Sequence, residues 1–254
     1  MELPLGPTAL LVAAAFVAGV VDAIAGGGGL ITVPALIWAG LPGEFVLGTN
    51  KGQSVFGSFA SMTRFGRAGL LEKSRARRTF PAALVGATLG ALLVAFEVPR
   101  DALKPVILGL LVAVAVFLLV RPMTLVPHGA PPKRPHLVAV SCALVIGAYD
   151  GFFGPGTGTF LILAFVLWLK DAAAQASADA KVVNFASNLA SVIVFSFCGW
   201  VRWRIALPMA AAQFAGGVVG AHLTVRGGDR LVRRVVLVVV LAVSAQLAFD
   251  LFAK

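Results

Sequence analysis

Two lysines stand where lysines are costly. Lys51 and Lys181 each lie near the start of an otherwise apolar stretch, 130 residues apart. An ammonium at the middle of a bilayer costs about 2.5–3.5 kcal/mol on insertion scales, so a hidden cation implies a partner or a role. The role expected here is to face an anion. The bland alternative is a lysine that snorkels from a helix end to the interface, and Lys181 stands close enough to a polar stretch for that. Amides accompany both lysines: Asn50 and Gln53 beside Lys51, Asn184 and Asn188 beyond Lys181. Their N–H groups can donate to oxyanions. Spacings of three and four put Lys181, Asn184 and Asn188 on one helix face. Hydrogen bonding between helices is the alternative use of such amides.

A second constellation occurs twice. Asp22 precedes the run Gly26-Gly27-Gly28-Gly29, and Asp150 precedes Gly154-Pro155-Gly156-Thr157-Gly158. Glycine weakens a helix by roughly 1 kcal/mol per residue against alanine, and proline by about 3. Each apolar segment should therefore break here and restart. Broken backbone at membrane depth is tolerated only where protein buries it or where it lines a cavity, and paired breaks in two halves point to a transporter's binding site. Gly27, Gly28, Gly29, Gly156, Thr157 and Gly158 are candidates to present N–H groups at the start of a half-helix, where the dipole favours anions. Close helix packing is the alternative. A phosphate loop is a weak reading, because no G-x-x-x-x-G-K-[ST] pattern is present. Asp22 and Asp150 are candidates to carry a coupling proton or cation. Otherwise they cap freed N–H groups or pair with Lys51 and Lys181. His222 has no counterpart in the first half, and packing is its expected use.

The elements that position these residues follow from composition. The 254 residues are 59% hydrophobic and 13% charged, against about 45–50% and about 25% in soluble domains. That is an integral membrane protein. The start Met1-Glu2-Leu3-Pro4 lacks the basic residues of a signal peptide, so no cleavage is expected. Cys142 and Cys198 sit in apolar runs and read as small packing residues. No metal, cofactor or nucleic-acid partner is expected. The net charge of +10 collects in short connectors between apolar runs, as the positive-inside rule produces.

Residues 8–25 are apolar apart from Asp22, and residues 30–41 form a short second piece. Residues 45–65, 79–98 and 105–120 read as spans, with a basic connector at 66–78. Residues 122–136 are a proline-rich linker between a first repeat, 1–121, and a second, 137–254. In the second repeat, residues 137–153 lead to the break and 159–169 form another half-length piece. A polar loop is expected at 170–180, spans at 181–201, 205–225 and 235–253, and a basic connector at 226–234.

The halves superimpose in sequence. Asp22, Gly26 and Gly28 fall on Asp150, Gly154 and Gly156 at an offset of 128. Beyond a two-residue insertion, Lys51 falls on Lys181 and Gly86 and Gly90 fall on Gly216 and Gly220 at 130. The last pairs are small-xxx-small patterns that let membrane helices approach closely. If each broken segment is a re-entrant hairpin, each half has three further crossings and the halves are inverted. The basic residues of 64–78, 121–134 and 226–234, with Lys170, then share the inner side. If each broken segment crosses, the halves are parallel and the basic residues divide more evenly. The positive-inside rule favours inversion.

At residues 22–34, at Gly48-Thr49-Asn50-Lys51 and at Lys181 to Asn188 the chain resembles the TauE/SafE family of membrane transporters. The likeness extends over nearly the whole chain and both repeats. It implies an all-α, polytopic inner-membrane protein that exports sulfur-containing anions such as sulfite, sulfoacetate or other sulfonates. Within the second motif Pro155 and Thr157 replace glycines. A passive anion channel needs the same basic lining and is the alternative. An enzyme is not expected, since no G-x-S-x-G or H-E-x-x-H motif is present.

Overall fold

The computed structural model describes the backbone of residues 5–120 and 129–252 and the side chains of residues 8–118 and 129–239. Residues 1–4, 121–128 and 253–254, which include Arg121, the first part of the linker and the end of the last expected span, lie outside the described residues. The described chain forms nine α-helices. They are α1 (Leu5–Ala25), α2 (Gly29–Trp38), α3 (Gly43–Arg67), α4 (Lys73–Glu97), α5 (Arg100–Val120), α6 (Pro135–Phe152), α7 (Thr157–Ala164), α8 (Ala173–Phe197) and α9 (Trp203–Phe252). A π-helical turn, Phe165–Leu169, prolongs α7. Six of these helices are long and apolar enough to cross a membrane.

The breaks fall where the glycines are. Gly26 takes φ +80°, Gly154 φ +100° and Gly156 φ +84°, a region closed to most side chains. The Gly26 N–H still closes the last turn of α1 on the Asp22 carbonyl at 2.9 Å. Helix α2 then starts afresh on the Gly27 and Gly28 carbonyls. At 10 residues, α2 is about 15 Å long, half of a ~30 Å hydrocarbon core.

Helix α3 has 25 residues, about 37 Å. It lies outside the six apolar helices because its buried face is polar: Thr49, Asn50, Lys51, Gln53, Ser58 and Ser61. Helix α8 packs beside it with a matching buried face of Ser177, Lys181, Asn184, Ser187, Asn188 and Ser191. The outer faces carry exposed Leu89, Phe96, Val145 and Phe197. A polar interior within an apolar exterior suits a lipid surround.

Two connectors differ from the sequence expectation. The stretch expected to be a loop at 170–180 is helical from Ala173 onward. Its alternating alanines are strong helix formers, and the turn is confined to Lys170 (φ +65°) and its neighbours. Lys181 consequently lies two turns inside α8, away from its end. The basic stretch 226–234 is also helical within α9, interrupted by a kink at Gly228 (φ +55°, ψ −155°).

Helix α1 packs along α9, and α6 along α4. The contacts are backbone on backbone. A Cβ on Gly86 or Gly90 would collide with the carbonyls of Leu144 or Ala148, and one on Gly216 or Gly220 with those of Phe16 or Val20. Residue numbers rise together along both pairs, so each pair is parallel. At one end of the bundle the α3–α4 connector places Leu70 and Leu71 against Val225, and Asp229 accepts the Ala174 N–H at 2.8 Å. At the other end Gly43 abuts Leu103 and Lys104, and Gly48 abuts Trp200.

Candidate functional site

Both lysines point inward. Lys51 is 2% exposed and Lys181 fully buried, so neither snorkels. Lys51 Nζ donates to Asp150 Oδ1 at 2.7 Å and to Asn188 Oδ1 at 3.1 Å. Lys181 Nζ donates to Asp22 Oδ2 at 2.9 Å. The pairing is crossed: each lysine holds the aspartate that precedes the glycine break of the other half. Removing one partner from such a buried pair costs about 3–5 kcal/mol, because the other charge is left uncompensated.

The two aspartates differ in their support. Asp150 Oδ1 also accepts the Thr157 hydroxyl at 3.0 Å, and its Oδ2 accepts the Ser187 hydroxyl. Among the described residues Asp22 accepts, besides Lys181, only a long bond of 3.4 Å from the Gly28 N–H. The other freed groups are met locally. Thr159 Oγ1 donates to the Ala25 carbonyl at 2.9 Å and Ser177 Oγ to that of Ala23 at 2.9 Å, closing the end of α1. The Tyr149 hydroxyl donates to the Pro155 carbonyl at 2.6 Å.

The breaks meet at the centre. A Cβ on Gly26 would collide with the Gly158 backbone, and one on Gly158 would reach Asn184 Nδ2 at 2.9 Å. Between them lies a cavity of about 30 Å³, the space of roughly one water. Asp22, Lys51, Asp150, Asn50, Asn184, Asn188, Gly29, Thr157 and Gly158 line it. The charged lining is one ammonium group and two carboxylates, and Lys181, paired with Asp22 behind the wall, brings the four charges to zero.

Other expected site residues stand elsewhere. Lys181 reaches the cavity wall through Asp22. Gln53 Nε2 donates to Asn50 Oδ1 at 3.1 Å, and Thr32 Oγ1 donates to the same oxygen at 2.6 Å. Gln53 therefore sits behind Asn50. Gly28 backs onto the Asp22 side chain, Gly27 faces Val239 of α9, and Gly156 faces Val114 of α5. His222 Nδ1 lies 2.8 Å from Arg64 Nη2.

The structure adds Gly26, Ser54, Gly154 and Gln213 to the lining, and Ser187 to the support of Asp150. Gly26 and Gly154 belong to the legible glycine clusters, and Ser187 lies three residues after Asn184 on the same helix face. Gln213 offered no signal: it is a lone amide in an apolar stretch, and its counterpart in the first half is Ala83. The side-chain amide oxygens of Asn184 and Gln213 are buried with no hydrogen-bond partner among the described residues.

Comparison with known proteins agrees over nearly the full length. The chain is 38% identical over 245 residues to a "probable membrane transporter protein ORF9" of Sinorhizobium sp., covering 95% of this chain and 92% of the relative. It is 35% identical to the "probable membrane transporter protein YfcA" of Escherichia coli K12, covering 93% and 87%. It is 34% identical to a "probable membrane transporter protein" of Haemophilus influenzae, covering 98% of both chains. No solved structure matches the chain. The model of the family described as "Sulfite exporter TauE/SafE" matches residues 11–247. With the crossed lysines and glycine breaks inside that match, the chain belongs to the TauE/SafE family of membrane transporters.

Proposed function

We propose that this multi-pass transporter exports small sulfur-containing anions, such as sulfite, sulfoacetate or other organosulfonates, across the inner membrane. The observation that carries the reading is the polar cavity at the meeting of the two glycine breaks, with buried Lys51 in its wall and buried Lys181 behind it on Asp22. Lys51 and Lys181 neutralise the anion. Asn50, Asn184 and Asn188 orient it, and Gln53 holds Asn50. Gly27, Gly28, Gly29, Gly156, Thr157 and Gly158 shape the breaks and their half-helix starts. Asp22 and Asp150 hold the lysines when no anion is bound and are the candidates for coupling. A cavity the size of one water supports an occluded carrier rather than an open pore.

The chain is read as two inverted repeats, each with a re-entrant hairpin. Three observations support this. The salt bridges are crossed. The parallel pairs α1–α9 and α4–α6 are exchanged by swapping the halves. The α3–α4 connector and the α9 kink region share one end, which the positive-inside rule makes cytoplasmic.

The test is flux and affinity in purified, reconstituted protein. Lys→Gln at positions 51 and 181 together should weaken anion binding more than tenfold, about 1.4 kcal/mol, with the protein still monodisperse. Lys→Arg should do less harm. A double Lys→Gln protein that binds within about twofold of wild type sinks the site. Anion accumulation against its own gradient separates the carrier from a passive channel.

A further inference from the structure

The cavity as built has no charge to offer an anion. Lys51 is matched by Asp150 and Lys181 by Asp22. An incoming anion must displace a carboxylate from a lysine, and a bare carboxylate left in the interior repels it. Protonating that carboxylate removes both obstacles at once. The two pairs are unequal in this respect. Asp150 accepts three donors, Lys51, Thr157 and Ser187, so a proton added there would have to displace one of them. Asp22 accepts Lys181 and one long bond, and its side chain is 16% exposed, against 5% for Asp150.

The groups around Asp22 complete the argument. The titratable groups facing it are Lys181 of α8 and, across the cavity, Lys51 of α3 and Asp150 of α6. Helices α2 and α7 carry none. On α9, His222 bonds Arg64 of α3, and on α8 Asp179 bonds Arg75 of α4. Asn184 and Gln213, which line the same cavity, each present a buried carbonyl oxygen without a donor. A carboxylic acid at Asp22 adds one donor to this cavity; a carboxylate adds none.

Resting on the anion reading above, we propose that each anion binds together with one proton, carried on Asp22, while Asp150 stays ionised as the fixed mate of Lys51. The balance is direct. A proton from water adds to the Asp22 carboxylate and the Lys181 ammonium is released to the anion, so the added proton balances the charge of a monoanion, or one of the two charges of a dianion such as sulfoacetate. On the other side the anion leaves, the proton returns to water, and Asp22 again pairs with Lys181. The transporter is then an anion–proton symporter, and net export follows the combined gradient of both.

The test uses sulfoacetate, whose acid groups are fully ionised from about pH 5.5 to about pH 8.5. Calorimetry of wild-type protein in two buffers of different ionisation enthalpy should read one proton taken up per anion bound. Wherever binding takes up one proton, affinity should fall about tenfold per pH unit. Asp22→Asn, a permanent neutral mimic, should bind with no proton uptake and no pH slope. Asp150→Asn should keep both, or lose binding. Wild-type binding without proton uptake, or an unchanged slope in Asp22→Asn, overturns the proton assignment and leaves the anion reading standing. No binding of sulfoacetate or sulfite by folded wild type at any pH overturns both.

Discussion

At the end of the bundle where α4 begins, the Glu72 N–H donates to Asp179 Oδ1 at 3.0 Å. At the end where α9 begins, the Arg202 N–H donates to Thr49 Oγ1 at 3.1 Å. Both partners are displaced by 130 residues, so the two halves make the same bond with exchanged roles. The chemistry built around that bond differs. At the first end Arg75 bridges Asp171 and Asp179, with Glu72 at 3.5 Å and the Phe165 ring beneath it at 5.7 Å. At the second, Arg202 lies over the Phe45 ring at 3.6 Å, and Phe195 stacks on Trp200 at 5.3 Å. One end is closed by a charge cluster shared among three segments, the other by stacked rings and one hydroxyl. The two ends share this backbone bond and differ in what closes them. Separating the first end leaves poorly solvated charges. Separating the second exposes apolar surface and one hydrogen bond.

The comparison breaks most visibly at Arg75. Arg75→Gln leaves Asp171 and Asp179 facing each other without a cation, and should lower stability by about 3–5 kcal/mol. Thermal unfolding in detergent reads this, and adding Asp171→Asn with Asp179→Asn should recover much of the loss. A melting temperature equal to wild type would mean that the cluster closes nothing.

Asp179→Thr copies the second end onto the first. It keeps a bond to the Glu72 N–H and removes one mate of Arg75. The loss should be about 1.5–3 kcal/mol, the range of a hydrogen bond to a charged group. The loss should persist in high salt, because Asp179 is 3% exposed and Arg75 13% and buried pairs are little screened. Unfolding curves at low and high ionic strength decide; a loss that vanishes in high salt counts against a buried ionic closure.

Smaller effects are expected at the second end. Arg202→Gln removes the cation over Phe45 and should cost about 2 kcal/mol or less, readable as faster alkylation of a cysteine placed at Thr49. Thr49→Val keeps the shape and drops one hydrogen bond, about 1 kcal/mol. Hydrogen exchange at the Arg202 amide should rise, while that at Glu72 stays unchanged. Equal changes at both amides would mean the ends are coupled and the contrast is only local.

Much of this was legible because membrane depth makes polar residues rare. A charge, an amide or a glycine run in an apolar stretch stands out, which marked Lys51, Lys181, Asn50, Asn184, Asn188 and both breaks. Gly86 and Gly90, with Gly216 and Gly220, announced close packing, and the structure names their partners as α6 and α1. Gln213 was illegible, since a single amide in an apolar helix fits a lipid-side neighbour as well as a cavity. The stretch 170–180 misled in the other direction. Small polar residues read as loop, yet the alanines among them form helix and carry Lys181 away from the interface.

The sequence by itself determined that the chain is membrane-embedded, where its helices break, and which few residues lie in apolar surroundings. Each of these is a local property of hydropathy, helix propensity and backbone freedom. Only the tertiary structure decided that Lys51 takes Asp150 and Lys181 takes Asp22, across 99 and 159 residues. Both uses of the lysines, facing an anion or holding an aspartate, fit the same one-dimensional pattern. Nothing local separates them, because the choice depends on how the two glycine breaks are brought together between α3 and α8.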